Sequence, residues 1–167
     1  MRDHRPPVSA EALTAAEVRL AELGHPVPPS YRAFLAAQDG GKPVRDYFSF
    51  RQGDRDQHDG VRWFYGIAAA PNGDLVREAE SRVDRVPAGM LSIADDGNGN
   101  AVVLDGRDGR DGPVLFWDHE FETEPPDESN LSWVAPDIET FLADLIENLE
   151  PPPVVEPKGW RRLFARE

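Results

Sequence analysis

Residues 87–120 leave few folds open to this chain. Three short, largely apolar runs, 91–94, 101–104 and 114–117, are separated by Asp95-Asp96-Gly97-Asn98-Gly99-Asn100 and by the loop 105–112, and they lead into the polar exit Asp118-His119-Glu120. Runs of this length, bounded by residues that tolerate positive φ, form hairpin strands in preference to helix. The expectation is a small antiparallel meander. Runs 101–104 and 114–117 are apolar without interruption, where a half-exposed strand would alternate, so both of their faces should be covered. They belong in the middle of a sheet.

The remaining segments must supply that cover. Ser9 can cap a helix running to about Leu23, with Leu13, Ala16, Leu20 and Leu23 on one face and Gly24 as its stop. A second helix starts at about Pro29, carries Tyr31, Phe34 and Leu35, and ends at Asp39-Gly40-Gly41. Residues 47–51 alternate aromatic and polar side chains as a strand does, residues 52–60 read as a charged loop, and 61–67 as a second aromatic strand completing a hairpin. Residues 75–83 have helical spacing and could cover one side of the sheet, and 131–134 read as an edge strand. Asp137 caps a helix whose apolar positions, Ile138, Phe141, Leu142, Leu145, Ile146 and Leu149, follow the helical period. Residues 118–128, with Pro125-Pro126, read as an exposed acidic loop.

At 167 residues one core suffices. The expected fold class is α+β, a single-domain antiparallel sheet of about five or six strands flanked by N-terminal helices and a C-terminal amphipathic helix. Residues 1–150 form the expected domain. Residues 151–167 form a Pro-rich tail, in which Trp160, Leu163 and Phe164 lie among Arg161, Arg162 and Arg166. That tail reads either as a segment folded back on the acidic domain or as an interaction motif. The first residues lack the apolar region of a secretory signal, and no run reaches the roughly 18 apolar residues of a membrane span, so a cytoplasmic location is expected.

There is no cysteine, which excludes disulfides, thiolate nucleophiles and Cys-based metal sites. The net charge of −13 argues against binding nucleic acid or anionic lipid and favours a basic protein partner, although solubility alone also accounts for such a charge. Asp96, Asn98 and Asn100 alternate as in a calcium loop, but Ala101 stands where that loop needs glycine and Arg107 where it needs the bidentate glutamate. Asp118, His119 and Glu120 could hold a metal or move a proton, yet neighbours on an extended chain diverge, and no second histidine follows at helical spacing. His4, His25 and His58 read as solvated loop residues. No nucleophile elbow, phosphate loop or dinucleotide fingerprint occurs. No catalytic residue, metal or cofactor is therefore expected.

Several ordered motifs carry a resemblance. They are Leu23-Gly24-x-x-Val27-Pro28-x-x-Tyr31-x-x-Phe34-Leu35, Asp39-Gly40-Gly41-x-Pro43 and Phe64-Tyr65-Gly66-Ile67. They continue with Pro87-x-Gly89-x-Leu91-x-Ile93-Ala94-x-Asp96-x-x-Gly99-Asn100, Val114-Leu115-Phe116-Trp117-Asp118-His119-Glu120 and Val134-Ala135-Pro136-Asp137-x-x-x-Phe141-Leu142. Together they resemble the SUKH superfamily, which includes bacterial toxin-immunity proteins and fungal cell-wall assembly regulators. Asp39 stands where an asparagine is often found, and either residue suits a helix-ending turn. The resemblance implies an α+β fold, a protein partner and no enzymatic activity. The expected role is an immunity-type protein that neutralises a basic, nucleic-acid-targeting toxin; the alternatives are an adaptor or regulatory module, or a hydrolase using Asp118, His119 or Glu120. The candidate contact residues are Asp95, Asp96, Asp118, Glu120, Glu122 and Glu124, set against the reading that they are only a solvated rim.

Overall fold

The computed structural model of the chain describes residues 5–68 and 73–147. The central meander forms as the turn chemistry requires: β4 (Met90–Asp95), β5 (Ala101–Asp105) and β6 (Val114–Trp117) are consecutive antiparallel neighbours. A two-residue strand, β3 (Trp63–Phe64), pairs with β4 at one edge, and β7 (Leu131–Ala135) pairs with β6 at the other. Every residue of β5 is buried, as its unbroken apolar run demands.

Alternation along β5 sorts the core into two faces. Val102 and Leu104 join Leu91, Ile93, Val114 and Phe116 on the first, while Ala101 and Val103 join Val86, Met90 and Trp117 on the second. The first face carries the helical layer: α1 (Ala10–Glu22), α2 (Pro29–Ala37), α3 (Leu75–Arg82) and α4 (Ile138–Asp144) all send side chains into its cluster. Two N-caps act as expected, with Ser9 and Asp137 accepting from the amides of Ala12 and Thr140, and Asp74 caps α3 in the same way by accepting from the Arg77 amide. Tyr31, fully buried, anchors α2 to the sheet because its hydroxyl lies 2.6 Å from the Tyr65 carbonyl and 3.0 Å from that of Ile93. That burial raises its phenol well above the usual tyrosine value.

Several expectations are corrected. Residues 52–60 are not a loop: β1 (Tyr47–Gln52) turns at Gly53-Asp54 and pairs with β2 (Arg55–Gly60), forming a separate two-stranded sheet. β1 lays Phe48 and Phe50 on Phe116, with Phe50 stacked at 4.5 Å, so the hairpin is held by one aromatic face while β2 stays polar. The aromatic strand expected over 61–67 shrinks to β3 and pairs with β4 instead. α4 ends at Asp144, short of the expected helix. Leu145 leaves in extended conformation, and Ile146 forms an antiparallel bridge to Tyr47. Leu149 and residues 148–167, including the tail, lie outside the described residues.

The acidic segment after β6 is exposed, as expected, but it is also tied down at two places. A short 3-10 turn, His119–Phe121, begins it. Glu122 then receives two hydrogen bonds from Arg85, at 2.8 and 3.1 Å, and Arg85 also covers the Trp117 ring at 5.2 Å. Farther on, Glu128 accepts from Arg107 at 2.6 Å, at the opposite end of β5 and β6 from Asp118. The segment is thus a strap along the second face. His25, expected in solvent, is instead 3 % exposed, with Nδ1 donating to the Met90 carbonyl at 2.6 Å.

Asp39 does more than end α2. It is 2 % exposed, and its carboxylate accepts from the amides of Ile67 and Ala68, fastening the stretch after β3 to the helix terminus. The next residue, Gly40, has φ of 66°, and a Cβ there would lie 2.5 Å from the Phe64 carbonyl oxygen. Only glycine fits that approach.

Candidate partner-binding surface

The hairpin between β4 and β5 builds one end of the sheet. Asp96 turns back into the loop, accepting from the Asn98 amide at 2.7 Å, the Asn100 amide at 3.1 Å and the Asn100 side-chain amide at 2.8 Å. This is an Asx-type turn closed by Gly97 and Gly99 at positive φ. Asn100 passes the connection on, since its Oδ1 accepts from the His119 backbone amide at 3.1 Å and from His119 Nδ1 at 2.7 Å. His119 is therefore a structural strut between the turn and the strap. Asp118 caps the short turn by accepting from the Glu120 amide at 3.0 Å.

These contacts bring Asp95, Asp96 and Asp118 to the same end, and a fourth acid arrives from β2. Asp59 is half-buried, and its carboxyl is raised above the usual aspartate value chiefly by burial, with the Asp96 and Asp118 charges adding to the effect. Burial likewise raises Asp95; Arg62, 3.8 Å away, opposes this, while Glu78 and Asp96 reinforce it. Four carboxyls from β2, the β4–β5 turn and the end of β6 thus form one partly desolvated acidic surface. Sequence reasoning missed Asp59, which lay in a supposed loop; the alternation of residues 47–51 and the Gly53-Asp54 turn were the signals that could have placed it.

The other candidates divide. Glu120 is exposed beside Asp118 and extends the acidic surface. Glu122 is occupied with Arg85, which holds its carboxyl below the usual glutamate value. Glu124 is exposed farther along the strap. Among the described residues no group of three or more His, Asp or Glu side chains is placed to hold a metal ion, and no helix is long and apolar enough to cross a membrane. What the surface offers chemically is fixed negative charge, with burial already acting against part of it.

The chain is 26 % identical over 140 residues to the SPbeta prophage-derived uncharacterized protein YokK of Bacillus subtilis (strain 168), an alignment covering 75 % of this chain and 69 % of that protein. The model of the SMI1 / KNR4 family (SUKH-1) matches residues 7–144, a span running from before α1 to the last residue of α4, and the chain belongs to that family.

Proposed function

We propose that this chain is a non-enzymatic, cytoplasmic immunity-type protein that binds a cognate toxin through the acidic end of its sheet. The toxin is a basic protein that acts on nucleic acid. The observation that supports this reading is the gathering of Asp59, Asp95, Asp96 and Asp118 from separate elements, with Glu120 beside them. A protein that grips nucleic acid carries a basic face to neutralise phosphates, and such a face is complementary to this one. Two of the four carboxyls are raised by burial, and cationic groups arriving from a partner lower them again. Binding is therefore expected to release protons and to weaken as pH falls through the raised values.

The test is capture of any large basic protein encoded beside this one, using the intact chain as bait at low and high salt. Salt-sensitive capture, lost when Asp118 and Glu120 are both changed to lysine, supports toxin neutralisation at this surface. Glu122→Lys is expected to act differently, because it breaks the tie to Arg85 and so lowers stability as well. Capture indifferent to Asp118→Lys and Glu120→Lys places the contact elsewhere, and absence of capture favours an adaptor role.

A further inference from the structure

We infer that the open edge of β1 at Ser49 and Arg51, beside Trp133, takes up an extended basic segment of a protein partner by strand addition. Tyr47 exchanges both backbone hydrogen bonds with Ile146, at 2.9 and 3.0 Å, so its amide and carbonyl face away from β2. Backbone direction alternates along a strand, and the N–H and C=O groups of Ser49 and Arg51 therefore face the same way as those of Tyr47. Among the described residues no strand or bridge meets them there, and both residues are exposed. Such an edge is a template for another extended chain. It is also held firm: Phe48 and Phe50 lie against Phe116, and Ser49 Oγ is 2.9 Å from His58 Nδ1 across the hairpin.

The edge opens on a groove of about 400 Å³ lined by Ser49, Phe50, Arg51, His58, Trp133 and Val134. Trp133, on β7, is 57 % exposed. Asp56, opposite Arg51 in the hairpin, also lines the groove, and among the described residues neither of the two forms an ion pair. Charge selects the occupant. The net charge of −13 disfavours nucleic acid and favours a basic chain, and an arginine entering the groove lays its guanidinium on the Trp133 ring within reach of the Asp56 carboxylate. Leu131 pairs with Trp117, the residue before Asp118, so Trp133 stands about 7 Å along β7 from the acidic end. The groove's role rests on the reading of this chain as a binder of a basic protein, and it supplies what the acidic surface lacks. Exposed carboxylates steer a partner in but hold it weakly, whereas a tryptophan covered on binding sets how long the partner stays.

The test is amide hydrogen exchange of the intact chain with and without a short capped peptide alternating arginine with valine. The peptide is expected to slow exchange at the Ser49 and Arg51 amides by about tenfold or more and to leave Tyr47, already paired, unchanged. A fully N-methylated form of the peptide has no amide to donate and is expected to protect neither. Trp133→Ala, at an exposed position, should weaken peptide binding by about tenfold. Unchanged exchange at Ser49 and Arg51 overturns the inference, as does equal protection by the methylated peptide or protection at Asp56 and His58, on the other edge of the hairpin. Protection that appears without peptide and grows with protein concentration overturns it too, since a second copy then fills the groove. Capture of a basic partner that is indifferent to Trp133→Ala removes the groove and keeps the toxin reading, while peptide protection with no such capture keeps the groove and removes the toxin.

Discussion

At Asp39 one carboxylate joins two places that are 28 and 29 residues apart in the chain, the end of α2 and the amides of Ile67 and Ala68. Asp39→Ala leaves those amides without their acceptor in a buried setting, and a loss of about 1–3 kcal/mol is expected in urea unfolding. Asp39→Asn keeps one acceptor oxygen and should cost less. The Asp-Gly-Gly stop was legible in the sequence, but its partner was not, because nothing local connects residue 39 to residue 67. His25 was misplaced for the same reason: prolines nearby announce a turn, but the Met90 carbonyl that buries the ring lies 65 residues away. At the acidic end, Asp59 and Asp95 hold protons in the folded state at pH values where the unfolded chain has released them. Their contribution to stability therefore falls as pH rises through the raised values and returns on acidification. Asp105 works in the opposite sense, since its hydrogen bonds to Arg107 hold it low and its contribution is lost as pH falls through that depressed value. Asp59→Asn should stabilise the protein at neutral pH and flatten the acid-side gain, which denaturant titrations at neutral and mildly acidic pH will resolve.

Among the elements, the meander, the caps and the first two helices could be read from residue types because each depends on near neighbours in the chain. β2 could not be read from its own residues, since a strand polar on both faces has no apolar alternation; only the Gly53-Asp54 turn after β1, whose Phe48 and Phe50 hold the hairpin down, points to it. α4 shows the converse: its apolar spacing continues to Leu149, but capture of Ile146 by Tyr47 stops the helix at Asp144. The strap was legible as an acidic segment, and its two attachments were not, for arginine partners at 85 and 107 have no local signature. Both side chains of the Arg85–Glu122 pair are substantially exposed, at 43 % and 36 %. A double-mutant cycle with Arg85→Met and Glu122→Gln is accordingly expected to give a coupling of only about 0.2–1 kcal/mol, shrinking as salt is added.

For the whole molecule, the net charge of −13 acts on encounter more than on fold. Association with a basic partner is expected to slow by about tenfold or more between low and high salt while dissociation changes little, which surface plasmon resonance at a series of salt concentrations will show. The order of strands in the large sheet, β3-β4-β5-β6-β7, is the order of synthesis. Each strand meets its neighbour as soon as both exist, so loop closures within the sheet are short. α1, α2 and the β1–β2 hairpin leave the ribosome before the strands they pack on. Tyr31, Leu35 and Phe48 must wait, apolar and unhoused, until β4, β5 and β6 arrive, which makes the first third of the chain the part most exposed to chaperones during its birth.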